Sequence, residues 1–451
     1  LTLMISVSGI RGIFGETLTP EIVTKFSAAF GAYCEGGTIV IGRDARKSGV
    51  VMRDSVVSGL SSAGCRIIDL GIAATPSIQY CVGHYRARGG IAITASHNPI
   101  QWNAMKFIDR TGVFLNGSQG ERLIGIYRNQ GENHASNAGN LDVSREPDGY
   151  RHHADHILGV IDPGSLAGRN LKVAIDCCDS ASSAILKYLL ERLGCRAVPI
   201  HCNVTGQFPR GPEPTRENIQ KLSKKVVDSG ADLGFATDPD GDRISVVDEM
   251  GRPLGEEYSV TLATDIVLRE RSGPVVTNVA TTRAVQDVAK KHCCPFELSP
   301  VGEVNVVEKM KEVGAVIGGE GNGGVINPAI QYARDAPAAM TLILQGLSRF
   351  GGTMSEFAGE LPRYFMVKRK IPCDPSRSED LLRRVQDHFR GERINTMDGV
   401  RIDRDFSWIY VRKSGTEPIL RVICEAGTRD EALELADGTS ETVENILART
   451  G

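Results

Sequence analysis

Three aspartates at alternate positions, Asp238-Pro-Asp240-Gly-Asp242, followed by Arg243, are the residues best placed to do chemistry. Pro and Gly between them allow one tight turn to aim the carboxylates at a common point. Carboxylate oxygens in that arrangement suit a hard cation such as Mg²⁺, which takes few protein ligands and leaves a face open for phosphate. A calcium-binding EF-hand is the nearest rival, because Asp238, Asp240, Asp242 and Glu249 fall at loop positions one, three, five and twelve. That reading fails on context. Position six is Arg243 where the EF-hand needs Gly, and strands rather than helices flank the loop. A solvated acidic turn is the plain alternative, and the even spacing argues against it.

Three further motifs carry oxygen-rich or cationic side chains. Thr94-Ala95-Ser96-His97-Asn98-Pro99 follows a strand. Its Ser-His neighbours invite a hydrolase reading, but adjacent residues do not form a triad hydrogen bond easily and no GxSxG elbow is present. Alone it reads as an Asn-Pro turn; beside a Mg²⁺ loop, Ser96 becomes a candidate phosphoryl carrier. Gly318-Gly319-Glu320-Gly321-Asn322-Gly323-Gly324 contains a formal GxGxxG, yet Val325-Ile326-Asn327-Pro328 opens no helix and no acidic residue, the expected ribose ligand, occurs from Ala336 to Ser355. A dinucleotide site is therefore disfavoured, and Glu320 and Asn322 among glycines suit sugar hydroxyls. Arg412-Lys413-Ser414-Gly415-Thr416-Glu417-Pro418, with Arg421 on the next strand, offers an anion cradle or a hydrophilic hairpin. Arg11, in Ser8-Gly9-Ile10-Arg11-Gly12, and Lys106 count only if they converge on the serine.

These loops need elements to hold them. Thr19-Pro20 reads as the cap and first residue of a helix, with Val23, Phe26, Phe30 and Tyr33 on one face. Short apolar strands are expected at Thr38–Ile41, Arg66–Leu70 and Gly90–Thr94, with a helix over Val51–Ser62. A second βαβ unit runs from Leu171–Ile175 through Ala184–Leu193 to Ala197–Ile200. A helix over Arg216–Ser229, with Ile219, Leu222, Val226 and Val227 inward, precedes the strand Ala231–Ala236 that delivers the aspartates. Ile244–Asp248 leaves the loop, and a third unit includes Pro274–Thr277 and Ala315–Ile317. The last eighty or so residues differ: Phe406–Arg412 and Leu420–Glu425 bracket a polar loop before a helix at Asp430–Leu447. The pattern predicts an α/β chain of three mixed α/β domains of similar topology and a C-terminal α+β domain. Expected boundaries are 1–150, 151–253, 254–365 and 366–451.

Bulk composition agrees. The 451 residues are 41% apolar and 24% charged, and 50 glycines imply many tight loops. The net charge of −3 and the absence of a basic stripe give no reason to expect nucleic acid. No apolar run is long enough for a membrane span, and no signal peptide is evident. Eleven scattered cysteines without a CxxC pair fit a reducing, cytoplasmic compartment. Oligomeric state is not legible.

In their order along the chain the four motifs resemble those of the α-D-phosphohexomutase family over essentially the whole chain. The resemblance implies four domains around a central cleft and reversible phosphoryl transfer between O6 and O1 of a hexose phosphate. A phosphorylated Ser96 would donate to substrate, a hexose 1,6-bisphosphate would turn round in the cleft, and its other phosphate would return to Ser96. It implies Mg²⁺ on Asp238, Asp240, Asp242 and a phosphoserine oxygen, with Arg11, Lys106 and His97 beside the reacting group. It further implies Arg243 near the reacting phosphate, Glu320 and Asn322 on the sugar, and Arg412, Ser414, Gly415, Thr416 and Arg421 on the distal phosphate. Many relatives read Gly-Glu-x-Ser-Gly-His in the sugar loop; here Asn322 and Gly324 stand at the Ser and His positions. The Gly-Glu-Gly-Asn-Gly-Gly form resembles an archaeal-type subgroup assigned to phosphoglucosamine mutases. Glucosamine phosphate is therefore the expected substrate, with phosphomannomutase or phosphoglucomutase activity the alternative. A non-catalytic sugar-phosphate-binding protein is the alternative from another class, and a dehydrogenase rests only on the GxGxxG.

Overall fold

The computed structural model describes residues 3–6, 9–129, 142–166, 168–414 and 418–448. It divides into two compact units, Leu1–Ile266 with Asn322–Gly359, and Val267–Gly321 with Glu360–Gly451.

The first unit contains a seven-stranded sheet. Thr38–Arg43 lies between Arg66–Ile72 and Gly89–Ile93, parallel to both. Trp102–Asp109 joins antiparallel to Gly89–Ile93, and Gly9–Ile13 antiparallel to Trp102–Asp109. The central strands are buried on both faces, as parallel sheets covered by helices are. Pro20–Tyr33 starts as its sequence predicts: Thr19 caps it by accepting from the Ile22 amide, and Pro20 takes the first turn. Val23, Phe26 and Phe30 from that helix enter the core with Ile39, Ile41, Ile91 and Phe107. At the carboxyl ends of the parallel strands emerge Asp44 and Arg46, Thr75, and Ser96. Ligand sites of open α/β sheets lie at such strand ends.

The same unit holds a four-stranded sheet in the order Ile244–Asp248, Leu233–Thr237, Lys172–Asp176, Arg196–Ile200. Leu233–Thr237 is buried throughout and runs parallel to Lys172–Asp176. It pairs antiparallel with Ile244–Asp248, so the aspartates sit in the connection of a hairpin whose strands are both anchored. Gly241 takes φ 68° there, a left-handed conformation that glycine adopts without strain.

In the second unit Val275–Asn278 runs parallel between Phe296–Ser299 and Ile317–Glu320. A five-stranded sheet follows, in which Ile419–Ala426 lies antiparallel between Phe365–Pro372 and Trp408–Lys413. Leu381, Leu382 and Val385 of one helix and Ala436 and Val443 of another cover one face of it. Among the described residues no helix is long and apolar enough to cross a membrane.

Two local expectations fail. The helix expected over Arg216–Ser229 begins at Gln220; a turn over residues 216–219 precedes it, with the Asn218 amide donating to Thr215 O three residues back and the Arg216 guanidinium to Leu254 O. Val227 is 55% exposed; Leu222, Ser223 and Val226 form the buried face and Val227 lies one helical step beyond it. Phe406, expected in a strand, is 79% exposed at a turn, and the strand starts at Trp408.

Candidate active site

Ser96 has φ 49°, unusual for a residue with a Cβ, and is 4% exposed. Several bonds hold it there. Its amide donates to Thr94 Oγ1 at 2.9 Å, and Thr94 Oγ1 donates to Asp44 Oδ2 at 2.7 Å. Arg46 Nη2 donates to the carbonyls of Ser96 and Asn98 at 2.8 and 2.7 Å, while its Nη1 pairs with Asp44 Oδ2. Asp44 and Arg46 have no exposed side-chain surface. The outcome is a serine Oγ donating to Asp238 Oδ2 at 2.7 Å. The Ser96 and aspartate loops, 142 residues apart in sequence, therefore meet directly.

Asp238, Asp240 and Asp242 are at most 1% exposed, and one ligand oxygen from each lies within 4.8 Å of the others. Asp240 Oδ2 accepts from Lys106 Nζ at 2.8 Å and Thr75 Oγ1 at 2.9 Å. Asp242 Oδ2 accepts from Arg334 Nη2 at 2.5 Å. Asp240 Oδ1 and Asp242 Oδ1 are buried with no hydrogen-bond donor among the described residues. Buried carboxylate oxygens without a donor are costly unless a cation takes them. The donor set, all hard oxygen, fits a divalent metal ion.

Electrostatics tell the same story. Burial, then the charges of Asp240 and Asp242, pushes the Asp238 carboxyl well above the ordinary carboxylate range. Burial would also raise Asp240, but Lys106 outweighs it and holds that group far below its usual value. Lys106 is raised in turn: burial opposes its charge, and Asp240 and Asp242 overcome it. Three carboxylates this close do not all ionise without added positive charge. His97 Nδ1 lies 3.5 Å from Ser96 Oγ; burial, with Arg243 and Arg11 nearby, lowers its pKa to about 2, so the ring is neutral.

Arg11 Nη1 donates to Asn98 Oδ1 at 2.9 Å in the serine loop. Arg243 pairs with Glu213 at 2.9 Å and its Nε lies 3.8 Å from Asp242 Oδ1. Asn322 Oδ1 accepts from the Gly324 amide, and Gly323 O accepts from the Ile244 amide, just past the aspartates. The structure thus brings Ser96, His97, Lys106, Arg11, Arg243 and the three aspartates together. Glu320, Arg412, Ser414 and Arg421 belong to the second unit. There Glu320 is 2% exposed and accepts from Asn278 Nδ2 at 2.7 Å and the Gly302 amide at 3.0 Å. Arg412 and Arg421 face one another across neighbouring strands, and Arg412 Nη1 lies 3.6 Å from Asp398. Gly415 and Thr416 lie outside the described residues.

Motif reading missed Thr75, Asp44, Arg46, Glu213 and Arg334. Asp44 and Arg46 had a weak signal, a charged pair two apart directly after an apolar strand. Thr75 and Arg334 had none, since their partners are distant in sequence.

The chain matches all four domains described as phosphoglucomutase/phosphomannomutase. The alpha/beta/alpha domains I, II and III match at residues 3–134, 150–251 and 255–365, and the C-terminal domain at 368–441. It is 35% identical to a phosphoglucomutase/phosphomannomutase of Thermococcus kodakarensis, over 97% of this chain and 98% of that protein. It is 34% identical to a protein of Methanopyrus kandleri named "probable phosphoglucosamine mutase", over 95% of each. Its fold superposes on a phosphoglucomutase/phosphomannomutase family protein of Burkholderia thailandensis with a TM-score of 0.83 and 24% identity, covering 98% of both chains. An N-acetylphosphoglucosamine mutase of Aspergillus fumigatus, solved with GlcNAc-6P and magnesium, gives a TM-score of 0.64 at 15% identity, over 98% of this chain and 95% of that one. The chain belongs to the phosphoglucomutase/phosphomannomutase family and is a phosphohexomutase, an isomerase-type enzyme.

Proposed function

We propose that this phosphohexomutase interconverts glucosamine 6-phosphate and glucosamine 1-phosphate through a phosphorylated Ser96. The observation that carries the reading is the 2.7 Å contact of Ser96 Oγ with Asp238, beside two buried carboxylate oxygens that have no hydrogen-bond donor among the described residues. Asp238, Asp240, Asp242 and an oxygen on Ser96 would hold Mg²⁺, which when bound neutralises charge on the transferring phosphoryl group. The protein's own groups do the rest. Asp44, Thr94 and Arg46 fix the serine in a conformation that exposes Oγ to the aspartate loop. Lys106 and Arg11 supply positive charge beside that oxygen, with His97 as a neutral neighbour, and Arg243 stands where an incoming phosphate would meet it. Glu320 and Asn322 grip the sugar hydroxyls in either orientation. Arg412, Ser414, Gly415, Thr416 and Arg421 hold the phosphate that is not being transferred and so decide which oxygen faces Ser96. A hexose 1,6-bisphosphate serves as intermediate and activator. We also place the domain boundaries near 150, 253 and 366 and the enzyme in the cytoplasm.

The glucosamine assignment follows from the Gly-Glu-Gly-Asn-Gly-Gly sugar loop and the name of the Methanopyrus relative. It is tested by incubating the enzyme with glucosamine, mannose or glucose 6-phosphate, each with a trace of its 1,6-bisphosphate. The expected result is the highest kcat/KM with glucosamine phosphate; a preference for either other sugar sinks the assignment. Intact-mass analysis should show one phosphate added by the bisphosphate and none on Ser96→Ala.

A further inference from the structure

Each aspartate of the triad has one oxygen tied down. Asp238 Oδ1 accepts the Asp242 and Arg243 amides, both at 3.2 Å. Lys106 and Thr75 occupy Asp240 Oδ2, and Arg334 occupies Asp242 Oδ2. In Asp240 and Asp242 the other oxygen, Oδ1, is buried and has no hydrogen-bond donor among the described residues. Arg334 thus does for Asp242 what Lys106 does for Asp240: it fixes the carboxylate by one oxygen and leaves the other to face a ligand.

Position 324 explains how Arg334 arrives there. An ideal Cβ on Gly324 would lie 2.2 Å from Arg334 Cδ and 2.9 Å from Cγ. The arginine stem lies across the glycine, in space that any side chain would fill. Gly324 is not among the glycines of positive φ, so the constraint is room and not backbone conformation. Arg334 is itself 9% exposed, so its stem has little freedom to move aside.

We infer that Arg334 is a positioning residue that limits Asp242 to one-oxygen metal ligation, and that residue 324 is glycine to let the arginine through. The inference rests on the reading that the aspartates hold Mg²⁺. Its consequence is selectivity between ions of equal charge. Mg²⁺ demands near-octahedral geometry with single-oxygen ligands, whereas Ca²⁺ takes more ligands and accepts carboxylates through both oxygens. A pinned Oδ2 therefore favours Mg²⁺ over Ca²⁺. Loss of the arginine charge alone would shift both affinities together and leave their ratio unchanged.

The test is calorimetric titration of the full-length, unphosphorylated enzyme with Mg²⁺ and, separately, with Ca²⁺. Arg334→Gln should lower the Mg²⁺ affinity roughly tenfold, the lower end of what outer partners of metal ligands contribute, and the Ca²⁺ affinity much less, so that the Mg²⁺/Ca²⁺ ratio falls. Gly324→Ala, which keeps the charge but displaces the stem, should lower it in the same direction. The double variant should fall no further than Arg334→Gln alone, because both changes break one contact. An unchanged ratio in folded Arg334→Gln, or a double variant whose loss is the product of the single losses, overturns the inference. Asp240→Asn separates this from the metal reading: if it binds Mg²⁺ as the wild type does, the aspartates are not the site at all.

Discussion

At the scale of single residues, the structure turns on the conformation of Ser96. A left-handed backbone at a residue with a Cβ costs roughly 1–2 kcal/mol and persists only where its surroundings over-determine it. Here the surroundings are Asp44, Arg46 and Thr94, with Arg46 bonded to two carbonyls of the serine loop. Arg46 also lies over the Phe208 ring, with its guanidinium carbon 4.7 Å from the centroid. Arg46→Leu should therefore do two things. It strands Asp44 as a buried, unpaired charge, which costs about 3–5 kcal/mol and should appear as a clear fall in Tm. It also frees the serine loop, and misplacing a nucleophile by about 1 Å slows transfer on the order of a hundredfold. Stopped-flow transfer from a bisphosphate to Ser96 measures the second effect separately from stability. Wild-type transfer rates in a folded Arg46→Leu enzyme would show that Ser96 needs no such clamp.

At the scale of elements, much was legible and some was not. The aspartate loop could be read because its chemistry and its flanking strands are local: apolar runs on either side of Asp238–Asp242 predict two strands, and Leu233–Thr237 and Ile244–Asp248 pair as a hairpin. The start of the helix at Gln220 was illegible because a turn over residues 216–219 precedes it, while the apolar pattern already includes Ile219. Arg334 was illegible for a similar reason: nothing within its own segment names Asp242 as its partner. Buried polar elements also carry a pH signature. Glu425, on the strand Ile419–Ala426, is 1% exposed and accepts from Trp408 Nε1 at 2.7 Å and the Arg283 amide at 2.9 Å. Burial outweighs these bonds and raises its pKa above the ordinary value of 4.5. The folded protein then binds this proton more tightly than the unfolded chain does. The stability it contributes is complete below the unfolded pKa and is lost as pH rises through the folded one. In Glu425→Gln that loss is removed, so the variant's Tm relative to wild type should climb as pH rises above about 4.5 and then level off. A Tm difference constant from pH 4 to 8 would contradict it.

At the scale of the molecule, the second unit joins Glu320, proposed to grip the sugar, to Arg412, proposed to hold the distal phosphate. Val301 donates its amide to Asp398 Oδ2 at 2.9 Å, and Asp398 faces Arg412 at 3.6 Å. The next residue, Gly302, takes φ 124° and donates to Glu320 at 3.0 Å. One carboxylate thus ties the loop that braces Glu320, proposed to grip the sugar, to Arg412, proposed to hold phosphate. Around it Val279, Trp408, Tyr410 and Ile423 pack into a shared apolar cluster, and Arg401 spans it, with its guanidinium carbon 4.4 Å from the Trp408 ring centroid and a bond to Val279 O. A ligand that must be held by its hydroxyls and its far phosphate together gains from having both contacts on one body, since fixing either fixes the other's place. If Asp398 is the link, Asp398→Ala should raise KM for the hexose phosphate about tenfold, equivalent to roughly 1.4 kcal/mol, and reduce kcat much less. Arg412→Ala should raise KM as well. The decisive measurement is the double variant: residues that act through one network give effects that do not add. Asp398→Ala with Arg412→Ala should be little worse than Arg412→Ala alone. A KM equal to the product of the separate increases would show that the sugar grip and the phosphate clamp work independently.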